Sequence, residues 1–206
     1  MEEELIPDSR KGDEKKVEME KELFQAFING NKEKVKQLLK QGVNPNAMTK
    51  DDVTPLMFAA ATGNEEIVKM LLEKCANPNA MTKDGNTPLI FAVGAFAVGA
   101  GNKEIVKMLL EKFANPNATN KDGNTLLIIA VRDSNEEIVK MLLDKGAIPD
   151  AADENGDKPL TIAYNNSKME IAQMLEDKIA IRSRQIKNKF NGGKNTRKRK
   201  NTRKKV

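Results

Sequence analysis

Thr87-Pro-Leu-Ile-Phe-Ala, then Glu104-Ile-Val-Lys-Met-Leu-Leu, then Asn115-Pro-Asn-Ala make one copy of a pattern that fills most of the chain. The first element recurs as Thr54-Pro-Leu-Met-Phe-Ala, Thr125-Leu-Leu-Ile-Ile-Ala and Lys158-Pro-Leu-Thr-Ile-Ala. The second recurs as Glu66-Ile-Val-Lys-Met-Leu-Leu, Glu137-Ile-Val-Lys-Met-Leu-Leu and Glu170-Ile-Ala-Gln-Met-Leu, and the third as Asn44-Pro-Asn-Ala and Asn77-Pro-Asn-Ala. Successive first elements lie 33, 38 and 33 residues apart. Three interleaved motifs on one period define a repeat array.

Elementary rules turn each motif into structure. Thr54 and Thr87 stand where a helix N-cap belongs, with Pro55 and Pro88 at the first helical position, where a missing N–H does no harm. Leu56, Phe58, Ala59 and Ala60 make a short apolar helix whose paired alanines let neighbouring backbones approach. Ile67, Val68, Leu71 and Leu72 follow the spacing of a second, amphipathic helix, with Lys69, Glu73 and Lys74 outside. The Asn-Pro-Asn-Ala element and the following Lys83-Asp-Gly are dense in turn formers and predict a hairpin-like connector.

This period and its Thr-Pro-Leu motif resemble the ankyrin family, over roughly residues 17–179. The resemblance implies an all-α repeat solenoid, an ankyrin-repeat array of helix-turn-helix units with β-hairpin-like connectors. Five units are expected, at 18–48, 51–80, 84–118, 122–151 and 155–179, between charged, disordered termini at 1–17 and 180–206. The first unit keeps its helices (Leu23, Ala26, Phe27; Val35, Leu38, Leu39) but has no Thr-Pro-Leu, as befits a terminal cap. In the last, Glu176 replaces Leu72, Leu110 and Leu143, which suits an outer face that no neighbour covers.

Several departures bear on stability. The family places His after Thr-Pro-Leu, where it links neighbouring turns; here those positions hold Met57, Ile90, Ile128 and Thr161. The turns are therefore expected to be held more by packing. Gly42 and Gly146 occupy the left-handed position that ends a second helix, while Cys75 and Phe113 replace it elsewhere. Cys75 reads as a residue tolerated at a helix end rather than as a reactive thiol. The 38-residue spacing comes from a tandem duplication, residues 91–95 repeated as 96–100, which predicts either a longer first helix or a bulge. Its glycines do not make a phosphate loop, because Gly99 is followed by Ala100 and no Gly-Lys-Ser/Thr is present.

Composition narrows the chemistry. The 206 residues contain no His and one Cys, which leaves no His general base, no His-dependent triad, no disulfide within the chain and no cysteine zinc site. An enzyme is not expected, nor is a cofactor or metal. The acidic start has no apolar h-region, and the longest apolar stretch, 88–101, is too short to span a bilayer. A cytoplasmic monomer without signal peptide or membrane span is therefore expected. Heavy Lys and Asn usage points to an AT-rich genome, and the whole chain resembles small ankyrin proteins of intracellular bacteria, which implies export to a host cell with the basic tail as a nuclear address there.

The function implied is a protein-binding scaffold, since partners of ankyrin arrays lie across the hairpin tips and the exposed side of the first helices. Carried over by position, the candidates are Lys50, Asp51 and Val53 with Thr62, then Lys83, Asp84 and Asn86, then Lys121, Asp122 and Asn124 with Arg132 and Asp133. Met48 and Met81 sit on the same tips. No aromatic or arginine cluster marks a dominant contact, and the partner protein is unidentified. The alternative function is binding of nucleic acid or another polyanion by the tail. The net charge of +5 divides into −7 for residues 1–181 and +12 for the rest, with no acid after Asp177. Arg197, Lys198, Arg199, Lys200, Arg203, Lys204 and Lys205 form its densest part. Such runs serve as nuclear addresses or bind nucleic acid weakly and without sequence preference.

Overall fold

A computed structural model describes residues 9–94 and 102–202. The helices pair in chain order: α1 (Ser9–Ile28) with α2 (Lys32–Lys40), α3 (Pro55–Ala61) with α4 (Glu65–Glu73), α5 (Pro88–Val93) with α6 (Lys103–Glu111), α7 (Leu126–Arg132) with α8 (Glu136–Asp144), and α9 (Pro159–Asn165) with α10 (Met169–Thr202). First helices pack side by side in one layer, and second helices do the same in another. Among the described residues there is no strand, only one isolated antiparallel bridge between Thr119 and Thr125.

The caps fall where their side chains demand. Thr54, Thr87 and Thr125 have extended backbones, and their hydroxyls accept from the amides of Met57, Ile90 and Ile128. The second helices α2, α4, α6 and α8 then end in one hydrogen-bonded motif. In α4, the Cys75 amide donates to Leu72 O at 3.2 Å and the Ala76 amide to Leu71 O at 2.9 Å. That closure forces the intervening residue left-handed: Gly42 and Gly146 at φ 86° and 92°, Cys75 and Phe113 at 61° and 63°. Both non-glycine residues thus sit in the conformation their position predicts.

The core is a thin slab shared between layers. Ile67, Leu71, Ile105, Leu109, Ile138 and Leu142 of the second helices are almost fully buried, as are Leu56, Leu89 and Leu126 of the first. Burying each such side chain contributes about 1.5–3 kcal/mol. Met57, Ile90 and Ile128, which stand where the family has His, are also buried, whereas Thr161 in the last unit is exposed. Glu176 is exposed as anticipated and accepts a hydrogen bond from the Tyr164 hydroxyl.

The structure differs from the sequence reading at two places. Residues 9–17 belong to α1 and residues 180–202 to α10, so the described parts of both ends are helical and not disordered. The reason in α10 is local. Ile179 occupies the position of Gly42, Cys75, Phe113 and Gly146, and a β-branched residue resists the left-handed turn that would stop the helix. The turns, secondly, are not held by packing alone, because asparagine side chains bridge them as described below. Of the two alternatives for the duplication, the longer first helix does not form: α5 stops at Val93 and Gly94 is extended at φ −79°, ψ 176°. The rest of the duplicated segment lies outside the described residues.

Candidate partner-binding surface

Three of four hairpin tips carry most of the predicted contact residues, and one short side-chain oxygen builds each tip. At 49–53 the Thr49 amide donates to Val53 O at 3.0 Å and the Asp52 amide returns to Thr49 O at 3.0 Å. The Thr49 hydroxyl also accepts from the amides of Asp51 and Val53. Asn120 and Asp153 act in the same way at 120–124 and 153–157, and Thr82 does so toward Asn86. A short polar side chain that bonds its own backbone a few residues on is what fixes such turns. The fourth residue is left-handed in all four: Asp52 at φ 59°, Gly85 at 76°, Gly123 at 67° and Gly156 at 83°.

Neighbouring tips are then tied to one another. The Lys83 amide donates to Asp51 O at 3.4 Å, while its ammonium bonds Lys50 O and lies 3.8 Å from the Asp51 carboxylate. The Lys121 amide donates to Asp84 O at 2.9 Å, and its ammonium pairs with the Asp84 carboxylate at 2.9 Å. That hydrogen bond holds the Lys121 ammonium above its ordinary range. Arg132 spans the next gap, donating to Asn124 at 2.6 Å and to the buried carboxylate of Asp153 at 3.0 Å. Lys50, Asp51, Lys83, Asp84, Lys121, Asn124 and Arg132 are therefore brought together, but largely with each other.

The remaining candidates are distributed differently. Val53 and Asn86 are half-buried. Asp122 is exposed and accepts from the Asn120 amide group at 3.3 Å. Thr62 folds its hydroxyl back onto Phe58 O at 2.9 Å. Thr62 and Asp133 cap the far ends of α3 and α7, each seven residues long, which sets them about 10 Å along the helix from the tips. Asp133 borders a cleft with Lys103, Glu136, Glu137 and Lys140, and partial burial raises its carboxyl above the ordinary carboxylate value. Arg197, Lys198, Arg199 and Lys200 belong to α10, and Arg203, Lys204 and Lys205 lie outside the described residues.

A second row of contacts escaped the sequence reading. Asn46 donates its amide to Cys75 O at 3.2 Å and accepts from the Asn77 amide at 2.7 Å. Asn79 repeats this with Phe113 O and the Asn115 amide, and Asn117 with Gly146 O and the Ile148 amide. The second asparagine of each Asn-Pro-Asn-Ala thus stitches one unit to the next. Its recurrence was visible; its reach across units was not. Two apolar side chains also stand on the tips, in register with one another. Met48 and Met81, one repeat apart, are each 62% exposed.

A solenoid of stacked helix pairs, with its connecting turns bonded tip to tip, defines a class of repeat proteins. A family model described as ankyrin repeats in three copies matches residues 23–120 and again 95–185. The chain belongs to the ankyrin-repeat family. No curated protein matches it. Among the described residues, no helix is long and apolar enough to cross a membrane.

Proposed function

We propose that the array is a non-catalytic protein-binding scaffold, acting as a monomer, that engages its partner across the hairpin tips. Ankyrin repeats generally serve protein–protein interaction, and the arrangement of the tips supports that reading here. The observation that carries it is the pair Met48 and Met81. Two thioethers stand exposed at equivalent points of successive tips, while Asp51 and Asp84 beside them face Lys83 and Lys121 of the neighbouring tips. Methionine is flexible and polarizable, and it suits surfaces that adapt to a partner. Later tips carry Thr119 and Ala152 at the same point, so the apolar contact belongs to the N-terminal half of the ridge. Asp51, Asp84 and Asp122 form a rim that sets orientation more than affinity.

Affinity capture tests this with the full chain and with the double substitution Met48→Asp, Met81→Asp. Both positions are exposed, so the fold is expected to be retained. A partner held by the wild-type chain and lost by the variant supports tip binding. Undiminished capture by the variant contradicts it.

A further inference from the structure

We infer that α10, beyond the last repeat, is a helical binding strut for double-stranded nucleic acid held without regard to sequence. This inference is independent of the scaffold reading, since it uses no residue of the hairpin tips. α10 runs as one helix from Met169 to Thr202. Its junction with the array is pinned by Lys178 against Asp144 at 2.7 Å and by Arg182 near Asp150 at 3.9 Å. Asp150 stands where Asn46, Asn79 and Asn117 reach the next unit, so the fourth unit turns its bridging position toward α10 instead.

Past Arg182 the helix carries no acid of its own. Arg184, Lys187, Lys189, Lys194, Arg197, Lys198, Arg199 and Lys200 follow, and no Asp or Glu occurs after Asp177. Like charges three and four residues apart, such as Lys194 with Arg197 and Lys198, oppose the helix in isolation. At about 3.6 residues per turn, the register positions of these cations fall all around the axis and not on one stripe. This distribution favours nucleic acid over a lipid surface. An interfacial membrane helix needs a continuous apolar face, whereas the twelve residues after Phe190, 191–202, contain no apolar residue larger than glycine. A helix lying in the major groove meets phosphates on both flanks, and charge around its circumference matches that. Neutralisation by those phosphates removes the repulsion, so binding and helicity should rise together.

The test uses the full chain with a 30-base-pair duplex of arbitrary sequence, read by fluorescence anisotropy. For roughly six to ten phosphate contacts, affinity should fall about 10³–10⁵-fold between 50 and 200 mM salt. Replacing Arg197, Lys198, Arg199 and Lys200 by Gln should flatten the log–log salt slope by about 3 to 4. Lys83→Gln, on a hairpin tip, should leave the slope unchanged. Thr196→Pro keeps every charge but breaks the helix, and is expected to weaken binding about tenfold or more while far-ultraviolet circular dichroism loses the duplex-induced gain. Absent duplex binding at 50 mM salt, binding to phosphatidylserine vesicles in its place, or full affinity in the proline variant would each overturn the inference.

Discussion

Asn79 joins two repeats through both ends of one side-chain amide, donating to Phe113 O at 3.0 Å and accepting from the Asn115 amide at 2.7 Å. Asn79→Ala removes both bonds. Each net hydrogen bond is worth about 0.5–1.5 kcal/mol, so a loss of about 1–2 kcal/mol is expected at this exposed site. A urea titration read by circular dichroism checks it. An unchanged midpoint would mean that packing alone joins these units.

Phe113 is left-handed at φ 63° and 87% exposed, so it bears backbone strain and gains almost no burial. Phe113→Gly should raise stability by about 0.5–1 kcal/mol, the relief of the left-handed penalty less the added freedom of the unfolded chain. Cys75→Gly should act alike. Asp52→Gly should gain only a few tenths of a kcal/mol, because Asp tolerates this conformation better. Thermal denaturation of the three variants gives the order.

Asn102 caps α6 without a side-chain bond to its own helix, unlike Asn31, Asn64 and Asn135, and donates instead to Ala60 O at 3.3 Å. One residue, Gly101, separates it from the duplicated segment. Deleting 96–100 restores a 33-residue unit. A folded array of equal stability, or up to about 1 kcal/mol more if the cap re-forms, is expected. A fall of several degrees in melting temperature would show that the extra residues are packed.

Asp133 gives the array a pH dependence. Partial burial raises its folded carboxyl above the ordinary 3.8, so ionisation opposes folding. Its place at the C-terminal end of α7 adds an unfavourable helix dipole. Because the folded value is the higher one, the stabilising contribution is complete below the unfolded value and is lost as pH rises through the folded value. Asp133→Asn should therefore stabilise by a few tenths of a kcal/mol at pH 7 and by nothing below the unfolded value. Chemical denaturation at both pH values reads the difference.

The repeat frame, the threonine caps and the left-handed placement of Cys75 and Phe113 were legible because each is set within a few residues of chain. The bridges from Asn46, Asn79 and Asn117 were not, since the partner lies a whole repeat away and the period alone does not say which atoms meet. Arg132 illustrates the same limit: chosen as an exposed binding residue, it is committed to Asn124 and the buried Asp153. The helical continuation past Ile179 had a visible signal, the missing glycine, but charge density pointed the other way.

The claim that the hairpin tips hold the partner is tested most directly by site-specific photo-crosslinking. A benzophenone side chain placed at Met81, on a tip, is compared with one at Lys107, exposed on the second-helix layer. The account predicts that the partner captured by the full chain is crosslinked from position 81 and not from position 107. Crosslinking from 107 with none from 81 would contradict it.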